Sequence, residues 1–362
     1  MQVNIVMSDR EEIYLGEKEF GERMKQEVEP FLKKYRRYAY FSGYDGTPLF
    51  YYAYQLPQAK ACVIISHGFC EFAKKYNEVV YYFLRNGYSV YLPEHRGHGY
   101  SGRKLKDIDK VHVESFQEYV EDLHIFLEET AAAEQTKKVL YAHSMGGAIA
   151  AMYLERYSDD FDAAILSSPM FRMKTGRYPA IVAKVTTNFY NAVGKGERYA
   201  AGQREFEEHP EDDCGNCVSR ERYAYIFDKR LKDMQYHTSG GTYAWVSAAM
   251  KAEKVLLKKE NLNRIRTPIL LFEAGKDRLV DNMAIERFAR QTGQTELIRM
   301  PDSRHEIYNA GDTERKNYYD RMFEFLESAA DWSMTSEESE QKKEKNQDER
   351  KAGKTGKILG II

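Results

Sequence analysis

The stretch KVLYAHSMGGAIA, residues 138–150, decides the fold. Lys138 to Ala142 reads as a short apolar strand, and the small apolar residues from Met145 onward open a helix that runs to about Tyr157. Ser144 stands on the turn between them. A serine on a tight strand-to-helix turn is the setting of a nucleophile elbow. Such a turn presses the main chain against its neighbours, so the residues two before and two after the serine have to be small. Ala142 and Gly146 hold those places. Ala142 stands where a strict G-x-S-x-G pattern has glycine, which leaves the strain of the elbow open.

A serine hydroxyl attacks only with a base beside it and a group that orients the base. On a strand–elbow–helix scaffold the three follow in the order serine, acid, histidine. Asp277 lies in the loop directly after the strand Ile269 to Phe272 and is the candidate acid. Glu273 is a weaker competitor, and Asp281 reads as the cap of a helix starting near Asn282. The strand Glu296 to Met300 leads into a loop with His305, the last of nine histidines and the only one beyond Asp277. His305 is therefore the candidate base.

An acyl-transfer site also needs donors for the oxyanion. Ser66-His67-Gly68-Phe69-Cys70 follows the strand Ala61 to Ser66. The backbone N–H of Phe69 and that of Met145, the residue after the serine, are the expected donors. Gly68 is expected to allow a close approach, with His67 beside it in the supporting loop.

Working outward, strand-like and helix-like segments alternate: a hairpin at 38–42 and 49–55 around Asp45-Gly46, helices near 75–86 and 114–130, and strands at 89–92 and 163–166. This alternation predicts an α/β fold with a mostly parallel, doubly wound sheet. The domain reading is a helical N-terminal extension over 1–37, a core over 38–169 and 242–332, and an inserted helical cap over 170–241. The stretch 333–362 is a charged tail with almost no apolar residues before its final Ile-Leu-Gly-Ile-Ile, and is expected to be disordered.

Several chemistries are disfavoured. With 54 basic and 56 acidic residues the formal charge is −2, which advertises no nucleic-acid partner. No apolar run reaches a membrane span and no secretory leader is read, so the expectation is a cytoplasmic protein. The four cysteines suggest no disulfide framework. His95 and His98, and the lone C-x-x-C of Cys214 and Cys217, lack the companions of a metal site, and no metal or cofactor is expected. The cap aromatics Tyr190, Phe206, Tyr223, Phe227 and Tyr236 could line an acyl pocket; helix packing is the commoner role.

Taken in order, His67-Gly68-Phe69, Arg96-Gly97-His98-Gly99-Tyr100-Ser101, His143-Ser144-Met145-Gly146-Gly147, Gly240-Gly241-Thr242-Tyr243-Ala244-Trp245, Gly275-Lys276-Asp277-Arg278-Leu279-Val280-Asp281-Asn282 and Arg304-His305-Glu306 resemble the α/β-hydrolases, in particular the bacterial lysophospholipase and monoacylglycerol lipase branch. The likeness covers about residues 16–330. It implies an α/β-hydrolase fold with an inserted cap and a cofactor-free serine hydrolase. Its implied substrates are single-acyl lipids, a lysophospholipid or a monoacylglycerol, with transient membrane contact. Alternatives within the class are a small-ester carboxylesterase, a thioesterase or an aminopeptidase-like hydrolase. Outside it stands a non-catalytic α/β-hydrolase that only binds.

Overall fold

Residue-by-residue alternation of side chains builds a sheet buried on both faces. In the computed structural model, which describes residues 12–130, 132, 137–176 and 179–329, ten strands form. They are β1 (Arg36–Ser42), β2 (Pro48–Tyr54), β3 (Cys62–Ser66), β4 (Ser89–Pro93), β5 (Lys110–Val111), β6 (Lys138–His143), β7 (Ala163–Ser167), β8 (Gly240–Gly241), β9 (Ile269–Ala274) and β10 (Thr295–Met300). Eight make one sheet in the order β1-β2-β4-β3-β6-β7-β9-β10, with β2 antiparallel to both neighbours and the rest parallel. β5 and β8 pair separately. The expected doubly wound α/β sheet is the observed one. The expectations for residues 1–11 and 333–362 lie outside the described residues.

The helices are α1 (Asn77–Arg85), α2 (Gln117–Glu129), α3 (Met145–Leu154), α4 (Ala180–Ala192), α5 (Arg220–Lys232), α6 (Tyr243–Leu256), α7 (Asn282–Gln291) and α8 (Asp312–Ala329), with shorter helical turns between them. Each central strand sends alternate residues to opposite cores. Ile64, Leu140, Leu166 and Leu271 face the layer of α2, α3, α6 and α7. Val63, Tyr141, Ile165 and Phe272 face α1, α8 and the N-terminal helical segment. That segment runs through Phe20–Arg23, a π-turn at Met24–Val28 and Glu29–Tyr35. Its Phe20, Met24, Val28 and Leu32 are buried in the second core, so it is a layer of the fold rather than an appendage.

Among the described residues of 170–241 only α4 and α5 are regular helices of any length, and 193–219 is irregular. The reason is local: GQREFEEHPEDDCGNC, residues 202–217, has glycine, proline and acids but no apolar period. The two helices are held differently. α5 is nailed down by Arg222, fully buried, whose guanidinium donates to Glu78 at 2.7 and 2.8 Å and to the Leu15 carbonyl at 2.8 Å. Arg315 of α8 reaches the same Glu78 at 3.1 Å and the same carbonyl. α4 buries only Thr187.

Candidate active site

The elbow is strained. Ser144 has φ 53° and ψ −118°, a region L-residues avoid. Its N–H donates to the Ser167 carbonyl at 3.1 Å, and its carbonyl accepts from Met170 N at 2.8 Å. A Cβ on Gly146 would lie 2.0 Å from the Ser66 carbonyl oxygen, and one on Gly147 would lie 2.5 Å from Pro169 Cβ. Ala142 is fully buried on β6, and its methyl group does not prevent the positive φ two residues later.

The loops after β9 and β10 meet. His305 Nδ1 lies 2.6 Å from Asp277 Oδ2, with both groups buried. Asp277 Oδ1 accepts from the Leu279 and Val280 N–H groups at 2.8 and 3.0 Å. Burial opposes ionisation of Asp277, but the His305 hydrogen bond and charge and the two N–H groups outweigh it and hold the carboxyl below its ordinary value. Asp277 is thus an anion that fixes the His305 ring with Nε2 outward. Nε2 is buried, has no hydrogen-bond partner among the described residues, and lines the same cavity as Ser144. The competitor Glu273 lies instead beside Arg299 at 3.5 Å. Asp281 caps α7, accepting from Met283 N at 3.0 Å.

The loop after β3 is held from several sides. His67 Nδ1 donates to the Gly68 carbonyl at 2.8 Å, and its Nε2 accepts from His95 N at 2.9 Å. His98 Nε2 accepts from Cys70 N at 3.1 Å. The Phe69 ring lies 4.2 Å from that of Trp245, and a Cβ on Gly241 would come within 3.3 Å of Phe69 Cζ. The backbone N–H groups of Phe69 and Met145 have no acceptor among the described residues, the latter because it opens α3.

Sequence reasoning missed the group beneath this loop. Glu71, fully buried, accepts from Gly68 N at 2.5 Å, Tyr76 Oη at 2.5 Å, Tyr308 Oη at 3.0 Å and Lys75 Nζ at 2.7 Å. A Cβ on Gly68 would stand 2.7 Å from Glu71 Oε2, so glycine here admits the carboxylate. Lys75 also reaches Glu306, the neighbour of His305, at 2.8 Å. Burial opposes charge on Glu71, yet Lys75 and His143 draw it well below the ordinary carboxylate range. Burial pushes His143 down to about 4 against the pull of Glu71, so its ring is neutral at pH 7 and donates from Nδ1 to the Ser167 carbonyl at 3.0 Å. The only advance signal was the i, i+4 spacing of Glu71 and Lys75.

Two cavities of about 480 Å³ each adjoin here. One opens over Ser144, Phe69 and His305 and is rich in polar groups. The other is largely apolar, lies between α4 and α6, and is lined by Met173, Val182, Tyr243, Val246 and Met250. Gly202, Gln203 and Leu279 border both. The aromatics of 170–241 divide: Tyr190 stacks on Tyr243 and Tyr236 on Phe72, whereas Phe206, Tyr223 and Phe227 also line the cavity over Ser144. In the 94–101 loop Glu94 accepts from Ala73 N and Tyr100 N at 2.8 and 2.7 Å, and Arg96 pairs with Asp122 at 2.6 Å. Among the described residues no three His, Cys, Asp or Glu side chains gather as a metal site.

The chain was compared with known proteins. Residues 57–312 match the family model described as serine aminopeptidase, S33. The probable lysophospholipase L2 of Haemophilus influenzae is 30% identical over 305 residues, which cover 83% of this chain and 95% of that protein. Lysophospholipase L2 of Escherichia coli is 32% identical over 252 residues, 69% of this chain and 73% of that protein. A soluble variant of the monoglyceride lipase of Saccharomyces cerevisiae shares the fold, with a TM-score of 0.63 at 19% identity over 82% of this chain and 97% of that one. With its sheet order, its elbow serine and this match over most of its length, the chain belongs to the serine aminopeptidase S33 family of α/β-hydrolases.

Proposed function

We propose that the protein is a serine hydrolase of single-acyl lipids, cleaving the carboxylic ester of a lysophospholipid or a monoacylglycerol. The observation that carries the mechanism is the buried 2.6 Å pair of His305 and Asp277 facing the same cavity as the strained Ser144. Ser144 Oγ attacks the ester carbonyl while His305 Nε2 takes its proton. Asp277 keeps the proton of Nδ1 in place and stabilises the imidazolium. The oxyanion sits against the N–H groups of Phe69 and Met145, a pair of donors worth about 3–4 kcal/mol each. His305 returns the proton to the departing alcohol, and water then opens the acyl-enzyme with His305 again as base.

The apolar cavity between α4 and α6 takes the acyl chain, at about 0.8 kcal/mol per methylene buried. Residues 170–241 act as the cap over the core, with the N-terminal segment as its support. Among the described residues no helix is long and apolar enough to cross a membrane. Contact with lipid is transient, from the cytoplasm, and falls to α4, where Ile181, Val185 and Phe189 at i, i+4, i+8 are 63%, 60% and 60% exposed. Supporting the lipid reading are the names of the relatives at 30–32% identity. The test is release of free fatty acid from a lysophospholipid and a monoacylglycerol of equal acyl length, with Ser144→Ala as the blank. Release above blank from either supports the reading; none from both refutes it.

A further inference from the structure

The charged groups around the cavity over Ser144 are mostly spoken for. Lys75 lies between Glu71 and Glu306 at 2.7 and 2.8 Å. Arg204 pairs with Glu207 at 3.0 Å on the exposed rim, where Glu205, His209 and Glu211 also stand. Arg230 is different. It lines the cavity from the last turn of α5, its guanidinium over the Phe206 ring at 4.2 Å, and no carboxylate of the described residues pairs with it.

One edge of its fork is used. Nε donates to the Tyr236 carbonyl at 3.0 Å, and Nη2 to those of His237 and Thr238 at 3.3 and 2.8 Å. Nη1 has no partner among the described residues. Burial pushes this guanidinium below its ordinary value, with Asp109 and Glu211 opposing only at a distance. Phe69 and Cys70 line the same cavity as Arg230. A half-buried cation with no carboxylate partner is costly, and a guanidinium anchored through Nε and Nη2 still presents the two N–H groups of Nη1, a charge-assisted donor for a phosphate oxygen.

We propose that Arg230 binds the phosphodiester of a lysophospholipid head group and so sets the preference for lysophospholipid over monoacylglycerol. The inference rests on the ester-hydrolase reading above and deepens it. Glu205 and Glu211 at the rim disfavour a head group that is anionic throughout, so the fitting head group carries a cation beyond its phosphate, as phosphocholine does.

The experiment compares kcat/KM on lysophosphatidylcholine and on a monoacylglycerol of the same acyl chain for the parent, Arg230→Gln and Arg230→Lys. Glutamine keeps an N–H for the 236–238 carbonyls and loses the charge; lysine keeps the charge. Losing a charge-assisted contact is expected to lower the lysophospholipid-to-monoacylglycerol ratio about 10- to 100-fold in Arg230→Gln, mainly through KM, with partial recovery in Arg230→Lys. A second readout is inhibition of p-nitrophenyl butyrate hydrolysis by glycerophosphocholine, whose KI should rise about tenfold or more in Arg230→Gln. An unchanged ratio, or an unchanged KI, overturns the inference. So does a parent enzyme that hydrolyses the monoacylglycerol alone, which leaves the ester-hydrolase reading standing. A parent that hydrolyses neither lipid ends both.

Discussion

Replacing Lys75 with methionine tests whether the buried brace beneath the loop after β3 is held by charge. Lys75 Nζ lies 2.7 Å from Glu71 and 2.8 Å from Glu306, with side-chain exposures of 9%, 6% and 13%. Methionine fills much of the same volume but leaves two carboxylates facing each other without their cation. Breaking a buried pair from one side costs about 3–5 kcal/mol. At roughly 2–4 °C per kcal/mol for domains of this order of size, the melting temperature should fall by about 6–20 °C at pH 7. The sign with pH follows from linkage. In the parent, Glu71 is held below its unfolded value, so its contribution is present above the ordinary carboxylate pKa and is lost as pH falls. Without Lys75, burial of Glu71 is opposed only by the Gly68 N–H, the Tyr76 and Tyr308 hydroxyls and His143 at 3.7 Å, and its carboxyl rises above its unfolded value. That penalty is present at pH 7 and absent below the ordinary carboxylate pKa, so the gap between variant and parent should narrow from pH 7 to pH 4.5. Calorimetric melts at the two pH values read it directly. A loss under about 1 kcal/mol at pH 7, or a gap of the same size at both, would refute the reasoning.

Asp277→Asn should fold like the parent and lose roughly four orders of magnitude in kcat, because an amide there favours the wrong tautomer of His305; initial rates on a p-nitrophenyl ester check it. Gly146→Ala places a methyl group 2.0 Å from the Ser66 carbonyl, and both stability and hydrolysis should fall together, read by urea denaturation and the same assay. Burial raises the carboxyl of Glu155 to about 8 and leaves its Oε1 without a partner among the described residues. A raised value means stability present below the unfolded pKa and lost as pH rises through about 8. Glu155→Gln should therefore match the parent near pH 4 and exceed it by about 1–4 kcal/mol at pH 9; equal melting temperatures at pH 9 would contradict the assignment.

The sheet was legible because its central strands are continuous apolar runs such as Cys62–Ser66 and Ile269–Ala274, bounded by turns. Chain order pointed to Asp277 and His305, which the fold brings within 2.6 Å of each other. Legibility stopped where meaning depends on distant burial. Glu71 and Lys75 have the spacing of any solvated helical pair; only Tyr76, Tyr308 and Glu306, the last two some 230 positions away, make them a buried brace. Arg230 reads as an ordinary basic residue in a last helical turn, and its unpartnered Nη1 among the described residues is visible only once the 236–238 carbonyls fold back on Nε and Nη2. The N-terminal segment has helical spacing whether it docks or not, and its place in the second core is set by α1 and α8.

The Arg222–Glu78–Arg315 junction has a consequence for how the chain is made. Its parts leave the ribosome in sequence: Leu15 and Glu78 first, Arg222 of α5 next, Arg315 last. At about 5–20 residues per second, roughly 5–20 s pass between the two arginines. During that interval α5 can already be tied to Glu78, but Tyr318, Tyr319 and Phe323 of α8 have not arrived to cover Phe83, Tyr88 and Tyr141. The nascent chain therefore carries α5 already tied in place beside an open aromatic face. That face is the surface that a holding chaperone would meet during synthesis.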